Sequence, residues 1–335
     1  GESVTLIGID PLTADDPNWL NAIGIPQPDY TVSGTAGDDI IDSAYFGDPD
    51  GDMIDAADAA DGSNDDVVLA GGGNDQVYAG DSNDEVYAGD GNDVVYGGAG
   101  DDYLDSGNGF DTLFGGDGDD IIDFGLDNGG IAYGGAGNDE IVSYDAGGVE
   151  IHGDDGDDFV LAGVDNDTIY GGAGNDDISA YGGADSVFGG IGNDLLDGMG
   201  GADLIYGGSG NDRIFGGGDN DTLFINEFAD TDTIGGGETG NDNDTLDFAT
   251  TADPGGVNIQ FTGDEAGGYT IGAGAADGTF TEIENYVLTD FGDSVDATND
   301  GFGVTIDGRG GDDVITGGTV DDLLYGGDGN DIVSG

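Results

Sequence analysis

An aliphatic side chain returns at every ninth position along much of the chain: Val77, Val86, Val95, Leu104, Leu113 and Ile122, then Ile141, Val160, Ile169, Ile178, Val187, Leu196, Ile205, Ile214 and Leu223. One residue flanks it on each side, and six residues rich in glycine and aspartate separate each triplet from the next. Alternation along a strand sends the aliphatic side chain to one face and its flanks to the other. Each unit therefore reads as a short strand with one inward side chain, followed by a turn. Two units make an eighteen-residue coil with two strands facing each other, and coils stacked at about 4.8 Å predict an all-β solenoid.

The repeating unit is G-G-x-G-N/D-D-x-U-x, with U aliphatic, as in Gly97-Gly98-Ala99-Gly100-Asp101-Asp102-Tyr103-Leu104-Asp105. Numbering these residues one to nine, position six is aspartate at Asp66, Asp75, Asp84, Asp93, Asp102, Asp111, Asp120, Asp139, Asp158, Asp167, Asp176, Asp185, Asp194, Asp203, Asp212 and Asp221. It is aspartate again at Asp313, Asp322 and Asp331, and residues 34–42 read as a repeat centred on Asp39. Turn glycines bring the backbone close to an ion. The pairs expected to do so are Gly98 and Gly100, Gly116 and Gly118, Gly135 and Gly137, Gly172 and Gly174, Gly190 and Gly192, Gly208 and Gly210, and Gly327 and Gly329.

Charge turns this pattern into a metal argument. Asp and Glu number 74 against 2 Lys and Arg, a formal net charge of -72 that excludes nucleic acid as a partner. Carboxylates stacked about 5 Å apart repel by roughly 1 kcal/mol per pair even in bulk water, so the metal-free chain is expected to be unfolded or expanded. With no cysteine, neither disulfides nor thiolate sites can hold the fold. Aspartate carboxylates beside turn carbonyls are hard oxygen donors and suit Ca²⁺ better than Mg²⁺.

Residues 66–224, with two slips, and 308–334 resemble the RTX, or haemolysin-type calcium-binding, repeat family and its GGxGxDxUx signature. The resemblance implies a right-handed parallel β-roll, about one Ca²⁺ per intact repeat shared between successive coils, folding outside the cell, and export by type I secretion. An extracellular or cell-surface bacterial protein is expected on the same ground. From Asp120 to Asp139 and from Asp139 to Asp158 the interval is nineteen residues. Each holds one extra residue in a degenerate turn, at 125–130 and 144–148, where bulges and missing or altered ions are expected.

The remaining segments are less regular. Residues 1–33 carry the single tryptophan, Trp19, with Asp16-Pro17 as a helix start and Gly24 as its stop, and read as a cap or docking segment. Residues 34–65 hold irregular first repeats and an acidic loop, Asp48-Pro49-Asp50-Gly51-Asp52. The regular block at 66–224 gives way to a β spacer at 225–307, read as wider coils continuing the solenoid in preference to a small separate module. A second repeat block follows at 308–335. The opening Gly1-Glu2-Ser3, without methionine or a basic region, reads as a processed product or a fragment.

Position nine carries an aromatic stripe on one face: Tyr78, Tyr96, Phe114, Tyr133, Tyr170, Phe188, Tyr206 and Phe224. Two readings stand: a ladder that steadies adjacent coils by about 0.2–1 kcal/mol per pair, or a contact surface for a partner or another copy. Catalysis has little to work with, since His152 is the single histidine and no H-E-x-x-H is present. A carboxylate engaged by Ca²⁺ is also a poor general acid. The chain reads as non-enzymatic: a calcium-dependent structural or assembly element, a secretion and folding module of a larger protein, or an adhesin that binds cell-surface polysaccharide. No apolar run is long enough to span a bilayer as a helix.

Overall fold

The computed structural model describes residues 31–48, 53–54, 64–125, 129–144, 147–225, 230–237, 243–251, 254–272 and 278–335. Among them all regular structure is strand, arranged as a parallel solenoid with a seventeen-stranded and a fourteen-stranded sheet facing each other. Each regular coil contributes one strand to each sheet. Tyr103–Asp105 lies in the first, Asp111–Asp117 in the second, and their in-register partners are eighteen residues away, Val86 beside Leu104 and Val95 beside Leu113.

The nine-residue clock sets the core. Every aliphatic residue named from the sequence is 0–1 % exposed, each contributing roughly 1.5–3 kcal/mol relative to an exposed side chain. Position one also points inward. It is glycine or alanine in most coils, with Ala70, Ala79 and Ala88 fully buried, but Phe124 and Phe248 take the same place elsewhere and fill the interior with a ring.

The two nineteen-residue intervals leave the strands in register. Ile122, Ile141 and Val160 stand side by side in the first sheet, and Leu113, Ala132 and Ile151 in the second. The extra residue is held within the turns, so the expected bulges do not reach the sheets. At the N-terminal side, Thr31–Ser33 already pairs in parallel with Val67–Gly72, with Val32 buried, so the first sheet begins inside the segment read as a cap. Asp16, Pro17, Trp19 and Gly24 lie outside the described residues, as do Pro49 to Asp52 of the acidic loop. Asp48 at its start accepts the Ser33 amide at 2.9 Å.

Between 225 and 307 both sheets continue, but a meander is built into the first. Its order runs Asp232–Gly237, Gly278–Thr281, Ala266–Ile271, Val257–Gly263, Ser294–Asp296, with the middle strand antiparallel to both neighbours. Rings fill the space between the sheets here: Phe261, Phe280 and Tyr286 pack edge to face at 5.2–5.4 Å, and Phe248 meets Tyr269 at 5.1 Å. The two buried phenols are satisfied, Tyr286 donating to Ile283 O and Tyr269 to Asp232 Oδ2.

The outer face of the second sheet carries the aromatic stripe as one unbroken stack. Tyr78, Tyr96, Phe114, Tyr133, His152, Tyr170, Phe188, Tyr206 and Phe224 follow one another at centroid distances of 4.1–4.9 Å and interplanar angles of 0–13°. His152, which is not among the aromatic residues named from the sequence, bridges Tyr133 and Tyr170, and its Nε2 lies 2.9 Å from Glu150 Oε1. Replacing Phe188 and Tyr206 together by Ser is expected to cost about 1–3 kcal/mol of stability and to leave bound Ca²⁺ unchanged. Thermal melting with a Ca²⁺ count checks this; an unaltered melting temperature would remove the ladder's structural role.

Candidate calcium sites along the two edges of the roll

Position six is the last residue of each turn, and the strand that follows fixes its side chain inward. The aspartates there are 0–5 % exposed through the regular block. One oxygen has a repeating partner, since each residue's amide donates to the carboxylate one coil further on: Asp84 to Asp102 Oδ1, Asp102 to Asp120 Oδ1, Asp176 to Asp194 Oδ1 and Asp185 to Asp203 Oδ1, at 2.8–2.9 Å. The other oxygen has no donor within hydrogen-bond distance at Asp75, Asp93, Asp102, Asp120, Asp139, Asp158, Asp176, Asp185, Asp194, Asp203, Asp212 and Asp313. A buried, charged oxygen without a partner is costly. Burial accordingly pushes the carboxyls of Asp120, Asp158, Asp194 and Asp203 up to about 7, against the opposing pull of the bonded amide. Those of Asp102, Asp139, Asp185 and Asp212 are pushed up to about 6 for the same reason.

These orphaned oxygens face further oxygens. Where a Cβ on Gly97 would stand, the space is bordered by Asp102 Oδ2 and by the carbonyl oxygen of Gly115 in the next coil, both too close for carbon. The same pairing recurs beside Gly115, with Asp120 Oδ2 and Gly134 O, and beside Gly171, with Asp176 Oδ2 and Gly189 O. Positions two and four let the coils approach this closely: at Gly98, φ is +125°, and a Cβ would overlap Gly80 O. A donor set of carboxylate and carbonyl oxygens, without nitrogen or sulfur, fits Ca²⁺. The residues that would hold it are the position-six aspartates with turn carbonyls of the adjoining coil. When bound, the cation supplies the counter-charge that keeps a dry carboxylate ionised and ties one coil to the next.

The sequence-predicted aspartates fall into two rows. Along the edge leading into the first sheet, Asp66, Asp84, Asp102, Asp120, Asp139, Asp158, Asp176, Asp194 and Asp212 are linked amide to carboxylate without a break, and the row reaches Asp232. Along the other edge, Asp39, Asp75, Asp93 and Asp111 form one stretch, and Asp167, Asp185, Asp203 and Asp221 form a second that reaches Asp244. Gly130 and Val149 stand between the two stretches, at the slips. Near the C-terminus Asp313 bonds to Asp331, while Asp322 lies on the opposite edge. Asp232 and Asp244 escaped the sequence pattern, although Asn243-Asp244-Thr245-Leu246 is an ordinary strand entry, because the preceding turns are longer.

A second row runs outside the first. At position five the amides donate backwards along the chain: Asp101 to Asn83 Oδ1, Asn175 to Asp157 Oδ1, Asn193 to Asn175 Oδ1 and Asn211 to Asn193 Oδ1, at 2.7–3.0 Å. The recurrence of Asn or Asp at this position was visible in the sequence. Its meaning, an exposed acceptor ladder opposite in sense to the buried one, was not.

Fold and site together define a parallel β-roll whose turns are built to take cations. A family model of the RTX calcium-binding nonapeptide repeat (4 copies) matches residues 61–95, 96–131, 152–187, 188–223 and 305–335, more than half of the chain, and the chain belongs to that family. No curated protein matches it.

Proposed function

We propose that this chain is an extracellular, calcium-gated structural element: a rod that folds where Ca²⁺ is abundant and then serves as a building unit of a fibre, surface layer or matrix. The observation that carries the reading is the pair of buried carboxylate rows, whose orphaned oxygens make the folded state depend on a cation. Secretion into a calcium-rich medium, by the type I route common to such repeats, is the setting in which this dependence becomes a switch.

The adhesin reading is less favoured. Within the stack the aromatic faces are spent on one another, so a sugar ring meets only their edges. The proposal is non-enzymatic. Light scattering during Ca²⁺ addition to chelator-stripped protein tests assembly. Growth into large particles is expected; folding to a stable monomer would favour the alternative, a secretion and folding module of a larger protein.

A further inference from the structure

Not all position-six aspartates hold their carboxylate alike. Asp167 accepts the Val149 amide on Oδ1 at 2.8 Å and the amide of its own turn, from Gly163, on Oδ2 at 3.2 Å. Asp293 accepts the Val257 amide on Oδ1 and the Thr289 amide on Oδ2 at 3.0 Å, with the Thr289 hydroxyl 2.9 and 3.1 Å from its Oδ1 and Oδ2. Asp322 accepts the Val304 amide on Oδ1 and the Gly318 amide on Oδ2, at 3.2 and 2.8 Å. In each case the residue one coil earlier is valine instead of aspartate. By contrast, Asp176, Asp185, Asp194, Asp203 and Asp313, each preceded by an aspartate, keep Oδ2 without a donor.

The preceding turn explains the difference. A regular turn rests on the regular turn before it, position-three amide on position-two carbonyl, as Gly200 on Tyr181 and Asn108 on Gly89. The turns at 143–149, 248–257 and 297–304 are longer than six residues, and the turn after each one closes on its own aspartate, satisfying the oxygen that a cation would take. At Gly130 packing takes the place of the aspartate. Phe124 is 1 % exposed, and its ring stands against Gly130, where an aspartate side chain would begin. Phe248 is as deeply buried at the start of 248–257, which ends at buried Val257.

We infer that the carboxylate rows are divided into separate calcium-binding runs where Gly130, Val149, Val257 and Val304 stand in place of a position-six aspartate, and that Asp167, Asp293 and Asp322 close the broken ends without taking an ion. The edge leading into the second sheet is thus split in mid-roll between Asp111 and Asp167, while the opposite edge stays continuous past the same coils. Those coils are joined by cations on one side and by Phe124, Val149 and hydrogen bonds on the other. The inference rests on the calcium reading of the repeats but not on assembly.

Bound Ca²⁺ per chain, measured by equilibrium dialysis with atomic absorption on the full chain, tests it. Asp194→Asn is expected to release at least one ion and Asp167→Asn none, both variants retaining strand structure by circular dichroism. The pair Asp313→Asn and Asp293→Asn repeats the comparison on the other side of the meander, should either central variant fail to fold. Equal losses within a pair would overturn the inference. Absence of Ca²⁺ from the unaltered chain would overturn the calcium reading and this inference with it, a result distinguishable from equal losses.

Discussion

Chelation at about pH 7.5 is expected to convert the chain from β-structure to coil, and acidification toward about pH 5 in the same chelator to restore part of it. The sign follows from the carboxyls. In the metal-free roll, burial raises Asp120, Asp158, Asp194 and Asp203 to about 7, and Asp102, Asp139 and Asp185 to about 6, from an ordinary 3.8. The folded chain therefore binds more protons than the unfolded one between those limits. Its metal-free stability is fully present below the ordinary value and is lost as pH rises through 6 to 7. Each unit corresponds to about 1.4 kcal/mol, so even a fraction of the shift, repeated along both rows, exceeds the roughly 5–15 kcal/mol by which domains are stable.

Calcium reverses the dependence, because it requires the ionised carboxylate. The half-saturating Ca²⁺ concentration is expected to rise as pH falls below about 7. Far-UV circular dichroism across a grid of pH and Ca²⁺ checks both signs. A metal-free chain that keeps its β-structure at neutral pH, or a calcium requirement that eases on acidification, would contradict the account.

Gly192→Ala is expected to be among the most damaging single methyl groups in the regular block. Gly192 has φ +147°, and its Cβ would overlap the Gly174 carbonyl of the preceding coil. Unusual backbone geometry and forced separation of two coils together cost at least about 3 kcal/mol. Gly189→Ala, in the same turn, is the contrast. Position one already carries alanine at Ala70, Ala79 and Ala88, so the fold tolerates it, and its methyl group crowds the Asp194 side chain and Gly207 O. Melting at saturating Ca²⁺ should fall steeply for Gly192→Ala and little for Gly189→Ala, whose cost appears instead as weaker Ca²⁺ binding. Equal melting temperatures for the two would show that coil stacking is not set by the turn glycines.

The features legible in the sequence are those fixed by local repetition. An aliphatic residue every nine positions sets coil length, inward face and register, and Asp102 or Asp194 needs nothing beyond its own turn to be recognised. Non-local effects were harder to read. The meander from Val257 to Thr281 shows alternating strands in sequence, but which strand lies beside which depends on rings such as Phe261 and Phe280 filling the space between the sheets. Asp167 looks like every other position-six aspartate, yet its carboxylate is spent on Gly163 because the turn one coil earlier is too long to support it. His152 lies outside the aromatic series read from the sequence, although its place is fixed by Tyr133 on one side and Tyr170 on the other. A long turn changes its neighbours, and that influence crosses eighteen residues of chain.

Anomalous scattering from crystals grown with Ca²⁺ and soaked in Tb³⁺ tests most directly whether the buried carboxylates hold cations between coils. The account predicts peaks in two rows along the edges of the roll, at about 2.3–2.6 Å from position-six Oδ2 atoms and turn carbonyls. Peaks confined to the exposed position-five acids, such as Asp101, Asp119 and Asp157, would contradict it.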